Sequence, residues 1–182
     1  MERLDAIQTV SDRDNEEGLR QLKDFKSKLS AETSDAIRLE TFKILVSLYF
    51  DAGKIKAAEA TITEFLEFAE KHQNKNAIAM AQISKSWQIL DNGKPDLALS
   101  KLKEIQASIK GNSDPEVNLR LNLAIGAVYN NQGKFEQALA HYLESLRLSD
   151  LLPRRKLQSK INRLLTIANL YWNMKDPEKS LA

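Results

Sequence analysis

The side chains that most often carry chemistry are sparse in this 182-residue sequence and do not form a known motif. Its two histidines, His72 and His141, stand far apart, and neither belongs to an H-E-x-x-H pattern. The phosphate-binding signature G-x-G-x-x-G, the P-loop and the nucleophile signature G-x-S-x-G are absent from the sequence as well. We therefore expect no catalytic site, no metal site and no cofactor.

Composition argues against several further function classes. The sequence has no cysteine, so it offers no disulfide framework and no thiolate ligand, which suits the periplasm and the cytosol of a bacterium equally. A net charge of +2 is too small to indicate nucleic-acid binding. No apolar run approaches the roughly 20 residues of a membrane helix, so we expect no membrane insertion.

Small and large residues recur along the chain at a fixed interval of 40 residues. The glycine expected in each helix-to-helix turn and the small residue expected early in the next helix share this interval; they are Gly53, Gly93 and Gly133, followed by Ala58, Ala98 and Ala138. Large residues close the preceding helices at Tyr49, Ile89 and Tyr129 with the same interval, and at Tyr171 after a slip of two residues. This shared register predicts repeated pairs of antiparallel helices, and hence an all-α fold.

The register divides the chain into parts that we expect to form one domain over residues 1–182. These parts are a degenerate N-terminal helix pair at 1–32, repeats at 33–72, 73–112 and 113–152, and a truncated repeat at 153–182. Ser34 and Asp114 are the predicted N-caps of two first helices. A last helix beginning at Asp176-Pro177 would be too short to stand alone, so we expect the chain to be part of a longer protein.

The clearest copy of the repeat lies between Leu119 and Leu152. Its key positions follow the pattern W-x2-L-G-x2-Y…A-x3-F and are Asn122, Ile125, Gly126, Tyr129, Gly133, Lys134, Phe135, Ala138 and Tyr142. This stretch resembles a tetratricopeptide repeat (TPR), in which Gly126 and Ala138 let two helices approach closely. The resemblance implies a right-handed superhelix of helix pairs, an α-solenoid, that acts as a binding scaffold and not as an enzyme.

The long interval narrows the resemblance, because the common TPR has a period of about 34 residues. Longer repeats like these are similar to those of MalT-like bacterial transcription activators, of peptide-responsive regulators, and of sensor regions ahead of GGDEF or histidine kinase domains. The stretches 123–146 and 164–181 resemble the last group, which implies the sensory or interaction region of a larger bacterial signalling protein. HEAT-like repeats share the period but not the Gly/Tyr/Ala register.

In a TPR superhelix the first helices line the concave face, so their residues that point away from the partner helix are candidate ligand contacts. By register these are Lys43, Ser47, Phe50, Met80, Ile83, Trp87, Arg120, Leu123, Ala127, Asn130, Asn131, Asn162, Asn169, Trp172 and Asn173, with Asp51, Leu90, Asp91 and Leu165 at equivalent positions. Aromatic anchors beside asparagine amides would hold an extended peptide or an amphipathic helix of a protein partner.

Alternatives to this groove stay open at the sequence level. Trp87 and Trp172 could instead pack in the core between repeats. A carboxylate clamp like that of chaperone-binding TPRs is not expected, because Ser47 replaces its asparagine. The basic run at 154–156 indicates either a patch for an acidic partner or a solvated outer face.

The apolar face that the truncated repeat leaves uncovered gives the alternative function. The chain would then be a dimerisation or assembly module of a cytosolic peptide-responsive transcription regulator, and its partner would be a second copy in a homodimer.

Overall fold

The computed structural model describes residues 1–111, 114–152, 164–171 and 174. Its helices within these residues are α1 (Glu2–Ser11), α2 (Asn15–Ser27), α3 (Asp35–Asp51), α4 (Ile55–Lys71), α5 (Lys75–Asp91), α6 (Pro95–Ser108), α7 (Pro115–Asn131) and α8 (Phe135–Ser149). Residues 164–171 are also helical, and the described residues contain no strand. The predicted all-α fold of TPR-like helix pairs is confirmed.

The chain divides into two compact units, Met1–Lys85 and Ser86–Ala182, and the boundary falls within α5. One core cluster of the first unit lies where α1, α2 and α3 meet. The buried side chains of this core are Leu4, Ile7, Leu19, Leu22, Ile44, Leu45 and Leu48. Phe42 of α3 stacks on Phe65 of α4 with ring centroids 5.6 Å apart, which joins the two helices of the first full repeat.

The second unit has a core cluster that joins α8 to the helix at 164–171. Ala138 and Tyr142 of α8 are buried together with Ile167 and Leu170, and Leu123 of α7 packs against the cluster. These three helices are therefore neighbours, and each contributes one apolar stripe to a shared interior.

The predicted turn glycines follow α3, α5 and α7, and all three have positive φ, at 64°, 71° and 70°. At the end of α7, the Gly133 amide donates to the Asn130 carbonyl at 3.0 Å and the Lys134 amide to the Tyr129 carbonyl at 2.8 Å. This pair of bonds is a Schellman motif, whose left-handed position glycine adopts without steric cost. The 40-residue interval therefore reflects a repeated way of ending a first helix.

The two predicted N-caps differ in the structure. Asp114 caps α7, because its Oδ1 accepts bonds from the backbone amides of Glu116 and Val117 at 2.9 and 3.2 Å. Ser34 stands at the same position before α3, but its side chain accepts no capping bond within the described residues 1–111. The start of α3 consequently depends on packing more than the start of α7 does.

Over the described part of the chain, no helix combines the length and the apolar character needed to cross a membrane.

Candidate protein-binding face

Packing between α7 and α8 decides which side of α7 is left for a partner. A Cβ atom added to Gly126 would lie 2.7 Å from two ring atoms of Tyr142, so α7 and α8 are too close together for any residue other than glycine at position 126. Tyr142 is 5% exposed, and this burial raises the pKa of its phenol to about 12. The contact fixes the rotation of α7 about its axis, with Gly126 facing the partner helix.

A polar pair bridges the same two helices. Asn122 Nδ2 donates to the Asn118 carbonyl at 2.9 Å, and Asn122 Oδ1 lies 2.8 Å from His141 Nδ1. Because an amide oxygen only accepts, Nδ1 of His141 carries the proton. The His141 ring also stacks on Tyr129, with centroids 5.6 Å apart, and burial lowers the pKa of His141.

The Asn122–His141 pair was not predicted from the sequence. The sequence feature that could have predicted it is Asn122, a polar residue at the first position of the W-x2-L-G-x2-Y pattern, where the repeat usually has an aromatic residue. An amide held between two helices needs a partner, and His141 supplies one from a position 19 residues later.

The stripe of α7 that flanks the residues facing α8 carries Arg120, Leu123, Ala127, Asn130 and Asn131, which we call the α7 face. Asn131 is exposed, and the other four are half-buried. The register thus places an arginine, two small or apolar side chains and two amides along one stripe of a helix.

The amides of this region have hydrogen-bonding capacity to offer a ligand. Within the described residues, the side chains of Asn130, Asn131 and Asn169 take part in no hydrogen bond. Each amide supplies a donor and an acceptor, which together match the peptide group of an extended chain.

Arg120 is the cation of the α7 face. Its guanidinium lies 3.6 Å from Glu116 Oε1, and its side chain is 41% exposed. Glu116 is 20% exposed, so the pair is partly solvated, and Arg120 keeps an accessible guanidinium that could also pair with a carboxylate of a ligand.

The predicted ligand contacts in the first unit differ in how far each side chain is exposed. Lys43 is mostly buried and pairs with Glu40 at 2.5 Å, Ser47 is exposed, and Phe50 is half-buried. For Met80 and Ile83 the structure corrects the expectation, since side chains that are 5% and 2% exposed offer a ligand almost no surface. Both belong to the core instead.

Trp87, in the second unit, is half-buried, and Asn169 is exposed on the helix at 164–171. Asn162, Trp172 and Asn173 lie outside the described residues, as does the basic run at 154–156. Among the described residues, no group of three or more His, Asp or Glu side chains is arranged to hold a metal ion.

A family model described as tetratricopeptide repeat matches residues 119–150. The match contains the Gly126–Tyr142 contact and the turn at Gly133. Residues 119–150 form a tetratricopeptide repeat. TPR arrays are protein-interaction scaffolds that bind through extended surfaces, and their fold is typically non-catalytic. The predicted TPR resemblance is thereby confirmed.

No curated protein matches the sequence. Among solved structures, a similar chain is a Signal Transduction ATPase with Numerous Domains (STAND) protein with a tetratricopeptide repeat sensor from Pyrococcus horikoshii. It is 18% identical with a TM-score of 0.60, and the match covers 98% of this chain and 27% of that chain. At this identity the similarity shows the fold alone, and this chain spans about a quarter of the STAND protein.

Proposed function

We propose that this chain is a non-enzymatic scaffold that binds a protein or peptide segment, and that it serves as the sensory or interaction region of a larger signalling protein of the bacterial type. The observation that carries the proposal is the α7 face, where two amides stand beside apolar side chains and have no hydrogen-bond partner among the residues that the structure describes. The sensory role is supported by the similarity to a STAND protein described as having a TPR sensor.

The binding surface extends from α7 onto the helix at 164–171. Leu123 packs against the cluster that contains Ile167 and Leu170, so the two first helices lie side by side. In the repeat register Leu165 is equivalent to Leu123, and Asn169 is equivalent to Ala127. Leu165 is 58% exposed and therefore provides an apolar anchor close to the amides.

An extended segment fits these groups best. The amides of Asn130, Asn131 and Asn169 would pair with its backbone, which gives affinity with little dependence on sequence. Burial of one ligand side chain against Leu165 would add about 1.5–3 kcal/mol. Arg120 would select a segment with an acidic side chain.

A selection from a random-peptide display library on the immobilised chain tests this proposal. We expect the wild-type chain to enrich a related set of peptides, and the double variant Arg120→Ala, Asn131→Ala to lose at least tenfold in affinity for them, or about 1.4 kcal/mol. Unchanged circular dichroism would show that this loss comes from the surface and not from unfolding.

The matched control is Arg147→Ala with Gln137→Ala on α8. Arg147 also pairs with a glutamate one turn earlier, Glu144 at 2.7 Å, and Gln137 is an exposed amide. This control should bind the peptides as the wild type does. The proposal fails if no peptide family is enriched, or if both double variants lose affinity equally.

A further inference from the structure

Asp51, the last residue of α3, is a carboxylate without a charged partner. Its side chain makes no ion pair and no hydrogen bond with the residues that the structure describes. Lys54, the nearest cation in the sequence, pairs with Glu16 at 2.7 Å, and Lys43, two turns earlier on α3, pairs with Glu40. The charge of Asp51 is therefore available to a ligand.

The position of Asp51 does not stabilise the helix that carries it. A carboxylate at the C-terminal end of a helix lies at the negative end of the macrodipole, where a cation would be favourable instead. Burial raises the pKa of the Asp51 carboxyl, and no cation among the described residues offsets this rise. Both effects disfavour the charged carboxylate in the free chain, so a cation supplied by a ligand would relieve them.

Ser47 and Phe50 complete a small patch at this end of α3. Ser47 lies four residues before Asp51 and three before Phe50, so both are its neighbours on the helix surface. Ser47 is exposed and Phe50 is half-buried. We call Ser47, Phe50 and Asp51 the α3 patch. It combines a carboxylate, a hydroxyl that accepts hydrogen bonds and an aromatic ring that attracts cations, which are the groups that hold an ammonium or a guanidinium.

Given the proposed function, on which this step rests, we infer that the α3 patch binds a basic side chain, lysine or arginine, of a protein segment that the chain recognises. The apolar stem of such a side chain would cover the Phe50 ring while its charged end pairs with Asp51. A metal ion is a poorer occupant, because no group of three or more His, Asp or Glu side chains among the described residues is arranged to hold one.

Selection from a random-peptide display library on the full chain tests this preference. We expect the wild type to enrich peptides that share a lysine or an arginine, and Asp51→Asn, which keeps the size of the side chain, to lose that preference. The matched control is Glu67→Gln on α4, because Glu67 is an exposed carboxylate of the same unit. It changes the net charge equally and should enrich the same peptides as the wild type.

A double-mutant cycle measures the contact itself. Replacing the basic residue of an enriched peptide by glutamine should weaken its binding to the wild type about fivefold, as an ion pair between partly solvated groups would. The same replacement should change binding to Asp51→Asn by less than about twofold, because the carboxylate is already absent. Glu67→Gln should show the wild-type loss.

NMR titration of the Asp51 carboxyl gives a readout that does not depend on affinity. In the free chain its pKa should lie above the ordinary aspartate value of about 3.9, because burial raises it. A bound lysine or arginine favours the charged form, so a saturating amount of the enriched peptide should lower this pKa. The peptide with glutamine at the basic position should lower it less.

The possible failures lead to different conclusions. If no peptide is enriched, the proposed function fails, and the cation-binding role of the α3 patch fails with it. If peptides are enriched and Arg120→Ala with Asn131→Ala weakens them, but they share no basic residue, the proposed function stands and the α3 patch binds no cation. A basic preference that Asp51→Asn keeps, or that Glu67→Gln removes equally, would also overturn the role of Asp51.

Discussion

Two polar side chains, Asn122 and His141, lie between α7 and α8 and help to determine how these helices pack. A fully buried amide without a partner costs on the order of 1–3 kcal/mol, and the half-buried Asn122 avoids its share of this cost by bonding to His141 at 2.8 Å. The bond also keeps the two helices in one register, because an apolar pair at these positions could slide. The Asn122–His141 pair therefore contributes specificity to the contact between α7 and α8, whereas Tyr142 contributes buried apolar area.

We expect His141 to make stability depend on pH. Burial lowers the pKa of His141 in the folded chain, so the unfolded chain binds more protons near the ordinary histidine pKa of about 6.5. Stability is therefore complete above that pH and declines as the pH falls toward the lower folded pKa. Thermal unfolding at about pH 7.5 and about pH 5 should show a smaller drop in midpoint for His141→Gln than for the wild type.

The control for this experiment is His72→Gln, which removes the other histidine and leaves the Asn122–His141 bond in place. The His72→Gln variant should keep the part of the wild-type drop in unfolding midpoint that comes from His141. An equal drop in midpoint for His141→Gln and the wild type would show that carboxylates, and not His141, set the acid sensitivity.

Residue-level prediction succeeded where one contact dominates and failed where several neighbours act together. The close approach of Gly126 to a large side chain followed from the repeat pattern alone, because only glycine fits there. The burial of Met80 and Ile83 did not follow. Register gives the side of a helix on which a residue lies. However, α5 buries residues on several sides, including the three consecutive residues Ala79, Met80 and Ala81.

At the scale of elements, the ends of the helices are more alike than their interiors. The end of α4 has the same pair of bonds as the first helices, with the Gln73 amide on the Glu70 carbonyl and the Asn74 amide on the Ala69 carbonyl, both at 3.0 Å. There the left-handed position holds Gln73, with φ of 51°. The sequence predicted the three glycine turns but not this one, because glutamine carries no signal for positive φ.

Glycine at this helix end should stabilise the protein. We expect Gln73→Gly to raise the free energy of unfolding by about 0.5–1 kcal/mol, because it relieves the strain of a left-handed glutamine. The comparison is Gln106→Gly, an exposed position inside α6, where glycine should lower the free energy by about 1 kcal/mol. Urea unfolding of both variants measures the two changes, and two losses of similar size would contradict the assignment.

At the scale of the whole molecule, the 40-residue period was readable from the sequence, whereas the boundary between the two compact units was not. It falls inside α5, a helix that sequence analysis placed wholly in one repeat. The single domain over residues 1–182 stays a prediction, because in repeat proteins contact clusters and folding units need not coincide. The stripe that makes up the α7 face follows from the same register, and its role in binding stays a prediction.

Core variants should separate the stabilities of the two units. Leu22→Ala removes a fully buried side chain from the first unit, and Leu121→Ala one that is 2% exposed in the second. Each should cost about 2–5 kcal/mol, and native-state hydrogen exchange should show most of the lost protection in the unit that carries the change. Equal loss of protection in α2 and α8 for both variants would instead indicate one cooperative unit.

The contact between Gly126 and Tyr142 also has an evolutionary consequence. A methyl group at residue 126 would lie 2.7 Å from the ring, so residue 126 cannot gain a side chain while Tyr142 keeps its ring in place. Lineages that place alanine at 126 must also have a smaller side chain at 142, and the two codons are expected to change together. Covariation between residues 126 and 142 would identify related proteins that keep this α7–α8 helix pair, even where the rest of the repeat has diverged.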